Sequence, residues 1–496
     1  MGYARIWSRG AQGLDAPLVG VEVHLAGGLP TFQIVGLAAT AVRESRDRVR
    51  GALATSGFDF PVSRITVNLT PADLPKHGGR YDLAIALGIL LASEQLRSKS
   101  IPEFECFAEL TLAGELNPID GALPACQQTF AAGRLAIVAP ANAAEARSIR
   151  DARVVKAPTL NALVDQLSGK VGMEVHRQAP LDRGETDYPD LADVVGQTAA
   201  RRALEIAATG EHNLLLCGPP GSGKSMLAMR LPGLLPAPDE KVVQDIAALQ
   251  SVSGVRGIGQ IARPFRAPHH STSATALIGG GSRPRPGEVS RAHGGVLFLD
   301  ELPEFSRHAL EMLREPLESG EVHLVRTAYD VCFPAQFQLI AAMNPCPCGA
   351  LGAQETDCRC SAEKIQRYRS RLSGPLLDRI DLGVTVPRVP FEALVDTELM
   401  ECSASVAQRV SIGRERAIDR QGTSNARLPS AVIQTWLQQR SAAMALLGRA
   451  ADQLSLSARQ CHRVLRVSRT VADLADSSEI AAEHVAEALS LRSLEV

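Results

Sequence analysis

One octapeptide, Gly218-Pro219-Pro220-Gly221-Ser222-Gly223-Lys224-Ser225, constrains this chain more tightly than any other feature in it. It fits G-x-x-x-x-G-K-[ST], a pattern that carries meaning only between a strand and a helix. Both flanks are present: the apolar run NLLLC at 213–217 precedes it, and a helical run at 226–231 follows. Gly221 and Gly223 let the backbone turn its N–H groups onto an anion, at a helix N-terminus whose dipole favours negative charge. In such a loop Lys224 would neutralise the β- and γ-phosphates of ATP, and Ser225 would ligate Mg²⁺.

Two further strand ends extend the pattern. The apolar run at 296–299 ends in Asp300 and Glu301. Alone, such a pair is usually a helix-starting turn. Downstream of a phosphate loop, Asp300 would hold magnesium through water and Glu301 would polarise the attacking water. The run at 338–343 ends at Asn344, whose amide could sit between the two nucleotide-facing strands and orient water against the γ-phosphate, with a turn residue before Pro345 as its plainer reading. Continuous apolar runs of this kind are buried in parallel sheets, and helical patterns separate them. The centre of the chain therefore reads as a doubly wound α/β domain.

Ahead of it, residues up to about 169 mix strand and helix signals and read as a self-contained α+β domain. Strands are expected at 19–25, 31–37, 65–70, 110–116, 135–140 and 154–158, and helices at 41–56 and 81–96. Residues 177–190, RQAPLDRGETDYPD, lack core-forming side chains and read as a linker. Beyond about 391 only helices are expected, at 401–420, 430–453, 457–475 and 478–491.

Composition narrows the function classes. A net charge of −2 advertises neither nucleic acid nor an anionic membrane, so any DNA contact must come from local basic patches. No apolar run reaches the roughly 18 residues that span a bilayer. The first residues, with Arg5, Arg9 and Asp15, lack the apolar region of a signal peptide. These features point to a reducing cytoplasm, where cysteines serve as core residues or metal ligands. Cys106, Cys126, Cys217, Cys332, Cys402 and Cys461 stand alone, usually among apolar neighbours, and read as small core residues. Cys346, Cys348, Cys358 and Cys360 instead form two C-x-C pairs that would close a structural tetrahedral Zn²⁺ site, bracing the segment between Asn344 and Arg379. Because C-x-C bites tighter than the usual C-x₂-C, a labile disulfide or four free thiols is the alternative. His269 and His270, adjacent on an extended loop, should point to opposite sides, which favours a non-metal role.

GPPGSGKS, GGVLFLDELPEF, AAMNPCPCG and SGPLLDRIDL, in this order, resemble the ComM/YifB type of magnesium-chelatase-like AAA+ protein. The resemblance covers nearly the whole chain: FQIVGL, ESRDRVRGAL, ITVNLTPADLPK and GELNPIDGALPA match the family's N-terminal domain, and SARQCHRVLRVSRTVADL its C-terminal one. It implies an AAA+ α/β core at 191–390 with a C-terminal helical lid at 391–496. A linker at 171–190 would join these to a Lon-protease-like α+β domain at 1–170, of the ribosomal S5 domain 2-like kind. It further implies a homo-hexameric ring with ATP at subunit interfaces.

In such a ring Arg379 matches an arginine finger, with a salt bridge to Asp378 or Asp381 as its plainer reading. Arg459 matches a sensor-2 arginine, and Arg463 and Arg466 lie close enough on the helix to leave that choice open. The segment 263–285, with Arg263, Arg266, Arg283 and Arg285, resembles the helix-2 insertion that faces the pore. Residues 322–326 and 331–334 resemble the pre-sensor-1 hairpin, with Arg326 at its tip in reach of a DNA backbone; solvated loops are the bland alternative. A Lon-like protease would need a serine and a lysine base. Gly79 or Arg80 stands at the nucleophile's place, and PIDGALP at 118–124 offers no lysine, so no peptidase activity is expected. The function implied is an ATP-driven branch-migration helicase acting on single-stranded or branched DNA in natural transformation. The rival is a chelatase-like motor that remodels a protein partner without DNA.

Overall fold

The computed structural model describes residues 2–36, 39–98, 101–149, 152–173, 175–177, 188–255, 261–327, 329–351, 358–390 and 400–492. Its apolar runs assemble two large sheets. The central one has five parallel strands in the order Phe265–Arg266, Val296–Leu299, Gln338–Met343, Leu214–Cys217, Leu382–Thr385. Alternate residues of each strand enter opposite layers. Leu214, Leu216, Phe298 and Ile340 join one core, while Leu215, Cys217, Leu297 and Leu339 join the other. Both faces are covered, which is why these strands read as unbroken apolar runs.

Helices Thr198–Gly210 and Lys224–Leu234 cover the first face. Ser403–Gln421 and Ala458–Leu474 pack on Thr198–Gly210 and add Val406, Val410, Val464 and Val467 to the same core. A capping box starts the second of these, Ser457 and Gln460 each accepting the other's backbone N–H. The expected helix 430–453 is two helices, Ser430–Leu437 and Ala442–Gln453, because Ser441 caps the second by accepting from the Met444 amide.

The other sheet has eight strands in the order Val175–Arg177, Arg153–Lys156, Leu135–Val138, Phe104–Phe107, Gly2–Arg9, Leu18–Ala26, Arg64–Thr70, Thr31–Val35. Helix Asp82–Ala92, buried on almost every side, packs against it. The reading of 110–116 as one strand is corrected: Glu109–Leu110 and Leu116–Asn117 form a small hairpin. The strand that enters the sheet is Phe104–Phe107, whose four residues are all buried and so show no alternation. The expected helix 41–56 divides into Thr40–Arg43 and Ser45–Thr55.

This N-terminal unit has its own core and also contacts the central domain. Leu123 packs on Ala247 and Ala248 of helix Glu240–Val252. Ser251 at that helix's end takes the Gly121 amide on its carbonyl at 2.9 Å and the Leu123 amide on its hydroxyl at 3.2 Å. Most of the expected linker (178–187), and residues 391–399, lie outside the described residues. No described helix is long and apolar enough to cross a membrane.

Candidate active site

The octapeptide leaves the end of Leu214–Cys217 and enters Lys224–Leu234. Gly221 and Gly223 adopt φ of 76° and 93°, a region that side chains resist. Nothing lies within 4 Å of where their Cβ atoms would stand. Among the described residues the amides of Gly221, Gly223, Lys224 and Ser225 meet no acceptor. Open donors at a helix N-terminus, facing free space, fit a polyphosphate.

Four side chains converge on this cradle. Lys224 Nζ folds back onto the Gly218 carbonyl at 2.7 Å, the Pro219 carbonyl at 2.9 Å and Asn344 Oδ1 at 3.2 Å. Burial lowers its pKa, opposed by Asp300. Ser225 Oγ donates to Asp300 Oδ2 at 2.8 Å. A hydroxyl and a carboxylate so placed supply adjacent hard oxygens, the donor set Mg²⁺ takes beside substrate phosphates. Glu301 follows in a left-handed conformation, φ 52°, its amide on Asp300 Oδ1 at 2.9 Å.

Glu301 has a partner that sequence reasoning missed. His270 Nδ1 lies 3.1 Å from Glu301 Oε2. His270 follows the strand Phe265–Arg266, which pairs beside Val296–Leu299, so sheet order brings the two together. The expectation that His269 and His270 point apart is corrected: their rings are 4.0 Å apart, and His269 turns onto Ser271 Oγ at 2.8 Å. The backbone there follows the turn after the strand rather than a continued pleat.

Arg379 and Arg459 are elsewhere. Both line a groove of about 930 Å³ bordered by Asn213, Gly295, Gln338 and Asp381. These residues stand at the starts of the parallel strands, whereas Ser225, Asp300 and Asn344 stand beyond their ends. The two arginines therefore lie at the opposite edge of the sheet from the cradle of their own chain. Arg379 pairs with Glu318, rather than Asp378 or Asp381, and donates to the carbonyls of Arg314 at 3.0 Å and Pro375 at 2.8 Å. Arg463 and Arg466 are spent on backbone carbonyls, including Ile380 at 3.3 Å and Leu428 at 2.7 Å. Arg459 is exposed and has no hydrogen bond or ion pair among the described residues.

The sulfurs of Cys346, Cys348 and Cys358 are 3.4–3.7 Å apart, and Cys360 lies within 4.8 Å of all three. A tetrahedral Zn–S₄ centre, with bonds of about 2.3 Å, has edges of about 3.8 Å, so the four thiols fit zinc. A Cβ on Gly349 of this loop would stand 2.4 Å from Pro220, so the loop rests on the phosphate loop itself.

Two of the insertion's four arginines are occupied. Arg263 donates to the Pro236 carbonyl at 2.7 Å and Arg266 to Glu288 at 2.7 Å, while Arg285 and Arg326 are exposed. The hairpin Glu321–Arg326/Tyr329–Pro334 leans on the N-terminal unit: the Tyr329 hydroxyl hydrogen-bonds His77, and Gln12 Nε2 reaches the Asp330 carbonyl at 3.1 Å. Arg80 is buried, and desolvation lowers its pKa. It donates to the Gly10 carbonyl at 2.7 Å and the Asp120 carbonyl at 2.6 Å. The guanidinium thus bridges the segment 75–82 to Asp120 in the segment 118–124.

Three family models match: "Magnesium chelatase, subunit ChlI" over residues 190–394, "Subunit ChlI of Mg-chelatase" over 21–143, and "Magnesium chelatase, subunit ChlI C-terminal" over 400–492. Competence protein ComM of Haemophilus influenzae is 46% identical over 501 residues, 100% of this chain and 98% of its own. Uncharacterized protein YifB of Escherichia coli is 46% identical over 499 residues, with 100% and 98% covered. Lon protease 2 of Bacillus subtilis is 26% identical over 179 residues, 31% of this chain and 32% of its own length.

Proposed function

Because the chain belongs to the ComM/YifB family of magnesium-chelatase-like AAA+ proteins, we propose that it is a cytoplasmic ATPase working as a hexameric ring motor on DNA. Within that reading it is a branch-migration helicase that promotes recombination of incoming single strands in natural transformation. The observation that carries the reading is the division of the nucleotide machinery between opposite edges of one sheet. Lys224, Ser225, Asp300, Glu301 and Asn344 gather at one edge, and Arg379 and Arg459 line the groove at the other. A chain so built is complete only against a neighbour.

In this reading the amides of 221–225 and Lys224 bind the phosphates, and Lys224 exchanges its carbonyl partners for them. Ser225 and Asp300 hold Mg²⁺, which when bound neutralises charge developing on the phosphates. Glu301 takes the proton of the attacking water, and Asn344 orients that water. Arg379 and Arg459 of one subunit stabilise the charge on the neighbour's γ-phosphate. The four cysteines hold a structural zinc that steadies the phosphate loop through Gly349. Arg285 and Arg326 meet the DNA backbone, a sequence-independent and salt-sensitive contact. The N-terminal unit is a docking element without peptidase activity, Gly79 or Arg80 standing in the place of a nucleophile.

A second reading, a motor that remodels a protein partner without DNA, draws support from the sequestration of Arg263 and Arg266. ATP hydrolysis by the full chain, measured with and without single-stranded and forked or three-stranded DNA, separates the two. Stimulation by branched DNA, lost in Lys224→Ala, is expected. Robust hydrolysis indifferent to every DNA would sink the helicase reading and keep the ATPase.

A further inference from the structure

Cys332, read from its neighbours as a core residue, faces solvent. In the hairpin Glu321–Arg326/Tyr329–Pro334 the residues Val322, Leu324, Val331 and Phe333 enter the core. Strand alternation then turns Glu321, His323 and Cys332 to the outer face. His323 and Cys332 are paired directly across the two strands, and Glu321 is two residues along on the same face. Glu321 Oε2 lies 3.2 Å from His323 Nε2 and 3.5 Å from Cys332 Sγ, and Nε2 to Sγ is 3.9 Å. The three side chains contact one another and form no other hydrogen bond or ion pair among the described residues.

We propose that Glu321, His323 and Cys332 form a transition-metal site, separate from the four-cysteine loop, that takes Zn²⁺ or a cation of the same borderline softness. The triangle of donor atoms has the right size. Tetrahedral zinc with one sulfur, one nitrogen and one oxygen ligand has edges of about 3.4–3.6 Å, within a few tenths of an ångström of those here. The donor types exclude the alternatives. Mg²⁺ and Ca²⁺ take oxygen alone, whereas a mixed sulfur–nitrogen–oxygen set suits zinc and its neighbours. Charge also balances: a thiolate and a carboxylate offset the dication, and the imidazole binds neutral. The thiol proton leaves to solvent as the metal–sulfur bond forms. Water fills the fourth position, which opens outward because all three residues are exposed.

The site lies on the half of the hairpin away from its Arg326–Tyr329 tip, and the Gln12 contact at Asp330 is two residues from Cys332. An ion there would lock the two strands in register where they meet the N-terminal unit. Cross-strand polar neighbours on an exposed sheet face often pair two at a time. Here three different metal-ligand types close one triangle, with no lysine or arginine among the described residues satisfying the carboxylate.

The test is equilibrium dialysis of the chelator-stripped full-length chain against Zn²⁺, with Co²⁺ in a parallel series for its thiolate charge-transfer band. Cys332→Ser and His323→Ala should each bind one zinc fewer per chain than the unaltered protein, and the double variant no fewer than either single one. Cys358→Ser, which touches only the other cluster, should still lose one further zinc when combined with Cys332→Ser. Since the Cys332 and His323 side chains are exposed, those two substitutions leave folding intact. Equal zinc content in the unaltered chain and in Cys332→Ser overturns the proposal. So does loss in Cys332→Ser with none in His323→Ala, which would mean metal held by the thiol only.

Discussion

Glu301 is held at φ 52° with its carboxylate on His270, a backbone cost that persists only where surroundings enforce it. If that pairing aims the carboxylate at the attacking water, His270→Ala lowers kcat by up to about 100-fold and leaves KM for ATP nearly unchanged. His270→Asn, which keeps a polar partner, restores part of the rate. A parallel loss of ATP affinity in steady-state kinetics would instead mark a role in folding the loop. Arg459 makes a contrasting case. Sequence left it level with Arg463 and Arg466, because spacing on a helix does not say which side chain is already spent. Arg463 and Arg466 donate to the Ile380 and Leu428 carbonyls, whereas Arg459 has no hydrogen bond or ion pair among the described residues.

At the scale of elements, one junction sits on the phosphate loop and another at the start of the strand that feeds it. The four-cysteine loop presses Gly349 onto Pro220, so its order passes directly to the cradle. Removing metal with a chelator, or Cys358→Ser, should lower the melting temperature and weaken ATP binding together, as read by thermal shift with and without nucleotide. The strand Leu382–Thr385 is pinned at its start by Asp381, whose Oδ2 accepts the Asn213 amide at 3.0 Å. Burial alone would raise this carboxyl, but His212, Arg463 and the Asn213 amide outweigh it and hold it below the usual range. Its stabilising contribution is therefore complete above the ordinary carboxylate pKa and is lost as pH falls through the depressed value. Asp381→Asn should cost about 3 kcal/mol near neutrality. Denaturant titrations should show that difference shrinking on acidification; a constant gap would mean that charge is not its source.

At the scale of the molecule, the division of the site makes a ring requirement measurable. Arg379→Ala should still bind ATP yet hydrolyse it about a thousandfold more slowly, since a finger acts in the transition state. Mixing that variant with Lys224→Ala chains should recover activity, because junctions then form between an intact cradle and an intact arginine. No recovery on mixing, with assembly shown by sedimentation, would mean Arg379 acts only within its own chain. The N-terminal unit belongs to the same mechanical body: it grips helix Glu240–Val252 through Ser251 and the hairpin through His77 and Gln12. The hairpin thereby contacts a unit that sequence alone presents as independent.

The phosphate loop, the strands feeding Asp300 and Asn344, and the late helices were legible because their causes are local. Glycine tolerates positive φ, buried parallel strands need unbroken apolar runs, and caps mark helix starts. Phe104–Phe107 escaped because a short, wholly buried strand has no period to read. Cys332 was misjudged because apolar neighbours in sequence say nothing about which face of a strand a residue takes until its partner strand is known. His270 beside Glu301, Glu318 on Arg379, and Arg80 on the Asp120 carbonyl all join residues distant in the chain. Such pairs depend on strand order and on how layers stack, which only the folded chain decides.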